Sequence, residues 1–193
     1  MKHAFGRHMH EPSWRVRRQL HTSTPALVTP WLFDNSSLTR RLQQACAGRF
    51  SVEVVSQGWE RPMLNESIRL KLPEQRFAWV RQVRLYCNDT PWVFARTVIP
   101  PESLRGQLRY LVNLGTRPLG AVLFADPTMH RDELEVACLR NSHRLYATAT
   151  QHLHKSSLNN CIWGRRSVFY LQHHPLLVSE IFLPAIPQHP HSA

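Results

Sequence analysis

The sequence predicts an α+β fold built on antiparallel strands, and three observations point there. Segment 77–99 reads as a β-hairpin, two apolar strand-like runs joined through Asn88-Asp89-Thr90-Pro91. Segment 166–183 reads as a second hairpin, turning through Gln172-His173-His174-Pro175. Helical periodicity at 38–46 and again at 104–111 supplies the α component.

Taken in order, residues 1–25 are basic, His-rich and without apolar periodicity, which predicts a flexible N-terminal arm. Residues 26–187 form one domain, and 188–193 a tail. At 193 residues the chain is long enough to enclose a sizeable core. After Pro30, Asn35-Ser36-Ser37 offers a helix N-cap, Leu38, Leu42, Ala45 and Cys46 a helical face, and Gly48 a stop. Ser51 to Ser56 alternates as a strand, and 61–74 reads as irregular and polar. Pro100-Pro101 ends the first hairpin and opens a helix carrying Leu104, Leu108 and Leu111, closed near Gly115. Pro118 to Phe124 predicts another short helix or turn. A Ser/Thr/His-rich stretch at about 140–160 reads as an insertion.

Composition excludes several classes. No apolar run approaches the roughly 18 residues of a membrane span, and His3, His8, His10 and Glu11 interrupt any leader-like pattern. Cys46, Cys87, Cys138 and Cys161 form no CxxC pair, so neither a zinc site nor a disulfide framework is expected, and a reducing cytoplasm is. The net charge is +11, with 24 Lys and Arg against 13 Asp and Glu. The arginines are scattered and no zinc-finger or RNP-like motif appears, so no nucleic acid is expected as partner; an anionic metabolite suits the charge better. Arg165-Arg166 reads as a solvated turn sooner than an anion site, and His173-His174 lacks a third ligand for a metal.

Three charges occupy apolar strand patterns. Arg81 shares parity with Phe77, Trp79 and Val83; Arg96 with Trp92, Phe94 and Val98; Glu180, the only acidic residue after Glu135, with Leu176, Val178 and Phe182. Burying a charge is costly without compensation. A structural ion pair inside the sheet is one reading. A pocket for a small anion is the other, because two arginines against one carboxylate leave a surplus positive charge.

The same residues carry a resemblance. Trp79-Val-Arg-Gln-Val83, Pro91-Trp-Val-Phe-Ala-Arg-Thr-Val-Ile-Pro100, Arg117-Pro-Leu-Gly-Ala-Val-Leu-Phe124, Trp163-Gly-Arg-Arg-Ser167 and Leu177-Val-Ser-Glu-Ile-Phe-Leu-Pro184 resemble, in order, the chorismate pyruvate-lyase family. That family makes 4-hydroxybenzoate for ubiquinone. The resemblance runs from about Trp31 to Pro187. It implies a single antiparallel sheet flanked by helices, a ligand enclosed under helical flaps, no metal and no organic cofactor. It implies that Arg81 meets the ligand's carboxylate, Glu180 its 4-oxygen, and Leu38 and Leu119 contact it through their backbones. Arg96 falls on a second active-site arginine, holding the enolpyruvyl side, so Glu180 and Arg96 are the catalytic candidates. Two departures stand out: Leu38 replaces a methionine, and Ala95 a glycine beside Arg96.

The implied reaction is the elimination of pyruvate from chorismate, in the cytoplasm, by a monomer without stable membrane insertion. Non-catalytic sensor domains of transcription regulators resemble the same scaffold. They would carry a winged-helix domain in front, whereas only about thirty residues precede the similar region here.

Overall fold

The computed structural model describes residues 10–21, 23–154 and 158–187. The expected tail at 188–193, residues 1–9 and 22 of the expected arm and residues 155–157 of the expected insertion lie outside the described residues.

Among the described residues, eight strands form one antiparallel sheet, alongside five short α-helices and three 3-10 segments. The strands are β1 (Arg15–Val16), β2 (Phe50–Glu60), β3 (Ala78–Cys87), β4 (Thr90–Ile99), β5 (His130–Arg131), β6 (Glu135–Arg140), β7 (Cys161–Leu171) and β8 (His174–Phe182). Their order across the sheet is β1-β6-β7-β8-β4-β3-β2, with β5 paired to β7 beyond the end of β6. Both expected hairpins form. The second turns on Gln172 and His173, at φ 49° and 66°, the left-handed pair that matches the twist of two antiparallel strands.

One face of the sheet carries α1 (Thr29–Leu32), α2 (Leu38–Ala45) and α4 (Leu119–Leu123). Ser37 caps α2 by accepting from the Arg40 N–H. The core here joins Trp31, Leu38 and Leu42 to Val83, Ala95 and Phe182 of the strands. Instead of one helix, the 104–111 region forms two 3-10 segments, Pro101–Leu104 and Gly106–Asn113. They part at Arg105, extended at φ −94° and ψ 156°, and the second begins at Gly106, whose φ is +55°.

The other face carries α3 (Leu64–Leu70) and α5 (Arg144–Thr150). α3 occupies the stretch expected to be irregular, and its amphipathicity is inverted. Leu64 and Ile68 are 62% and 68% exposed, while Glu66 is buried. Polar bonds hold it instead: the Glu66 carboxylate accepts from the Met63 N–H at 2.8 Å, and Glu11 accepts from the Leu64 and Asn65 N–H groups. Glu11 belongs to the expected flexible arm, which is docked from His10 onward; β1 adds a short rung beside β6. The stretch expected to be an insertion holds α5, whose Leu145, Tyr146 and Ala149 pack on Phe94, Leu139 and Ile181.

The cysteines correct the expectation of no disulfide framework. Cys46, ending α2, is bonded to Cys87, ending β3, and Cys138 to Cys161 across the β6–β7 pair. Partners 41 and 23 residues apart in sequence meet only because the sheet brings them together.

Candidate active site

Register decides which charges meet. Arg81 pairs with Thr97 across β3–β4, and Ala95 with Glu180 across β4–β8. Because side chains alternate along a strand, Arg81, Ala95, Thr97 and Glu180 all project to the face that carries α2 and α4. Two strand spacings and a two-residue offset put the Cα atoms of Arg81 and Glu180 about 12 Å apart, with Ala95 and Thr97 as the floor between them.

Arg96 does not join them. It pairs in register with Gln82 and Ser179 and therefore points to the opposite face. There its Nε and Nη2 donate to Glu66 at 2.8 and 3.1 Å, and Glu60 lies 3.6 Å from Nη1. The expected contact of Arg96 with an enolpyruvyl group beside Glu180 is corrected on this ground: the strand's alternation separates neighbours 95 and 96. Burial works against the charged form of Arg96, but the Glu66 and Glu60 carboxylates raise its pKa above the ordinary value.

Arg165 takes the place beside Glu180. Expected in a solvated turn, it lies within β7, 1% exposed, opposite Glu180 in the ladder. Its Nε donates to Glu180 Oε2 at 2.6 Å, and its Nη1 to the carbonyls of Trp31 and Asp34 at 2.7 and 2.6 Å. Arg166 points the other way, to Glu135 and Asn65. The signal was present in the chain: counting outward from the Gln172–His173 turn places Arg165 directly across from Glu180.

Arg131 of β5, which the sequence did not single out, also reaches the site. Its Nε donates to Ser167 Oγ at 3.0 Å, its Nη1 to the Asn35 carbonyl at 3.3 Å, and the guanidinium lies 4.9 Å from the Phe169 ring centre. Burial draws its pKa down to about 10, so it remains a cation at neutral pH.

Leu38, Leu119, Gly120, Arg131, Arg165 and Glu180 line one enclosed cavity. Leu38 and Leu119 are the first residues of α2 and α4, where backbone N–H groups have no carbonyl one turn back. The two helix starts nearly touch, since a Cβ on Gly120 would lie 2.8 Å from Thr39 Oγ1. The cavity measures about 20 Å3, room for about one water molecule. A six-membered ring enters only when α2 or α4 moves.

Arg81 lies on the same face but does not line this cavity. It donates to Gln57 Oε1 at 3.1 Å and to the carbonyls of Gly115 and Arg117, ahead of α4, at 2.8 and 3.3 Å. Burial lowers its pKa, and no carboxylate pairs with it among the described residues. Asp34, ahead of α2, is held below the usual carboxylate range. Burial opposes this, but bonds from the Ser36 hydroxyl and N–H and the nearby Arg41 and Arg165 outweigh it.

Arg81, Arg131 and Arg165 against Glu180 leave two surplus positive charges on this face. Asp34 adds none, because Arg41 pairs with it at 2.6 Å.

Comparison with known proteins bears on this site. A family model described as chorismate lyase matches residues 9–190. A protein of Aromatoleum aromaticum named "Probable chorismate pyruvate-lyase" is 40% identical over 92% of this chain and 95% of its own. A protein of the same name from Methylococcus capsulatus is 41% identical over 84% of this chain and 98% of its own. Among solved structures, the C-terminal domain of the histidine utilization repressor from Pseudomonas syringae pv. tomato is similar over 75% of this chain and 97% of its own, with TM-score 0.52 and 11% identity. A GntR-family transcriptional regulator from Bacillus cereus is similar over 70% of this chain and 92% of its own, with TM-score 0.50 and 11% identity. At such identities the structural likeness concerns the fold alone.

Proposed function

The chain belongs to the chorismate lyase family, and from that premise we propose that it converts chorismate to 4-hydroxybenzoate and pyruvate, as a step toward ubiquinone in the cytoplasm. The observation that carries this reading is the charge balance of the face under α2 and α4. Two surplus positive charges suit chorismate, a dianion with one carboxylate on the ring and one on the enolpyruvyl ether.

In this reading Arg81 takes the ring carboxylate through its forked donors. The N–H groups of Leu38 and Leu119, at the mouths of two helices, contact the ligand once the flaps have opened and closed over it. Glu180, paired with Arg165, accepts a hydrogen bond from the 4-hydroxyl and is placed to receive the C4 hydrogen as a proton. The ether bond at C3 breaks with its electron pair going to the enolpyruvate oxygen, the ring becomes aromatic, and the proton passes to the leaving enolpyruvate, which tautomerises to pyruvate. Aromatisation supplies most of the driving force. The protein orients the reactant and stabilises the charge moving onto oxygen, so residues present on this face suffice without a cofactor. We assign Arg96 the task of anchoring α3 through Glu66.

The test is direct. Purified protein mixed with chorismate should release 4-hydroxybenzoate, followed by its absorbance, and an equal amount of pyruvate. Binding of chorismate without turnover would favour a ligand sensor on the same scaffold.

A further inference from the structure

Resting on the lyase reading, we infer that Arg131 is the partner of the substrate's enolpyruvyl carboxylate and thereby the residue that distinguishes the dianionic substrate from the monoanionic product. Three observations lead there. First, among the described residues no carboxylate lies within ion-pair distance of Arg131, as none does for Arg81, and the carboxylates whose charge reaches it, Glu180 and Asp34, are already held by Arg165 and Arg41. Its donors go to a hydroxyl and a carbonyl, and its Nη2 makes no hydrogen bond among the described residues. A guanidinium fork with one prong free suits a carboxylate.

Second, Arg131 stands in two spaces. It lines the enclosed cavity with Glu180 and also an open cleft with Arg17, Asn35, Phe124, Asp132 and Glu133, the two carboxylates being paired with Arg69 and Arg18. It is the shared wall between the buried site and solvent, on the path by which a second carboxylate would arrive and a small acid depart.

Third, the positions agree with the substrate's own geometry. The enolpyruvyl ether sits on C3, next to the C4 carbon that bears the hydroxyl and lies across the ring from the carboxylate carbon. A cation for the ether's carboxylate therefore belongs at the Glu180 end. Arg81 lies about 12 Å away at the opposite end, and Arg96 lies behind the sheet. Arg131 lies at the Glu180 end, beside Phe169 and Ser167. The product lacks this carboxylate, so the pairing favours substrate over product.

The experiment compares two ligands in three proteins: wild type, Arg131→Ala and Arg131→Lys. The value of kcat/KM for chorismate is measured alongside the Kd of 4-hydroxybenzoate. For Arg131→Ala, kcat/KM is expected to fall about 30-fold or more, mostly through KM, while the Kd of 4-hydroxybenzoate moves by less than about three-fold. Arg131→Lys keeps the charge and should recover part of the loss. Equal weakening of both ligands would show a merely structural role and overturn the inference, as would unchanged kcat/KM in Arg131→Ala. Wild-type protein without turnover would sink the lyase reading itself, whereas active wild type with an indifferent Arg131→Ala variant overturns only the present inference.

Discussion

Arg165 and Glu180 face each other across the β7–β8 ladder, and the guanidinium Nε lies 2.6 Å from the carboxylate Oε2. Because the same guanidinium holds the Trp31 and Asp34 carbonyls, one side chain fixes both the Glu180 carboxylate and the chain entering α2. Arg165→Met leaves Glu180 without its cation. We expect a loss of about 3–5 kcal/mol, read by urea unfolding, together with loss of turnover. Adding Glu180→Leu should recover most of the stability and none of the activity.

Arg81 and Arg96 should separate cleanly in a second comparison. Arg81→Ala removes the proposed carboxylate contact and should raise the Kd of 4-hydroxybenzoate about 30-fold or more. Arg96→Met breaks the buried pair with Glu66 on the opposite face, so it should cost about 3 kcal/mol of stability while product affinity stays within about three-fold. A collapse of product affinity in folded Arg96→Met would return Arg96 to the site.

Gly120 tests whether the helix starts act as flaps. A methyl there meets Thr39 Oγ1 at 2.8 Å, so Gly120→Ala should hold α2 and α4 apart, speed product release and weaken 4-hydroxybenzoate binding about ten-fold. Thr39→Ala in the same protein should restore it. Stopped-flow release rates decide the matter, and unchanged rates would remove these helices from the gating step.

Asp34 gives a pH signature. Its folded pKa lies below the ordinary aspartate value of 3.8, so the stability it contributes is fully present above that value and is lost as pH falls through the folded pKa. Asp34→Asn should therefore be less stable than wild type at neutral pH, and the difference should shrink below about pH 4. Thermal unfolding at several pH values measures it; a gap that widens in acid contradicts the assignment.

The cysteine pairs test the cytoplasmic placement. In the reducing cytoplasm we propose, both disulfides of the structure would be opened, so protein alkylated at the moment of cell lysis should be labelled at all four cysteines. Cα separations of 5.6 and 5.8 Å should leave reduced protein folded and active. Unlabelled cysteines under these conditions would argue for an oxidising compartment.

Much of this site is legible in the chain, and the exceptions have physical causes. Arg81 and Glu180 betray themselves as charges in apolar strands, and they do share a face. Arg96 satisfies the same criterion yet points the other way, because parity within one strand says nothing about its phase relative to the next. Only the pairing of Ala95 with Glu180 fixes that phase. Arg165 was hidden by its neighbour: adjacent arginines look like a solvated turn until each is seen to serve a different face. Arg131 belongs to a two-residue strand in a polar stretch, too short for any period. α3 escaped for the opposite reason, since it exposes Leu64 and Ile68 and buries its glutamate. Helical periodicity finds apolar stripes, and this helix is held by ions.

Arg131 grips Asn35, and Arg81 grips Arg117, by their main-chain carbonyls. A carbonyl belongs to every amino acid. Substitutions at 35 and 117 should accordingly leave the chain ahead of α2 and α4 attached, while the arginines that hold it have no substitute. The attachment of the chain ahead of α2 and α4 is thus specified by arginines of the sheet and not by the side chains of the loops they hold.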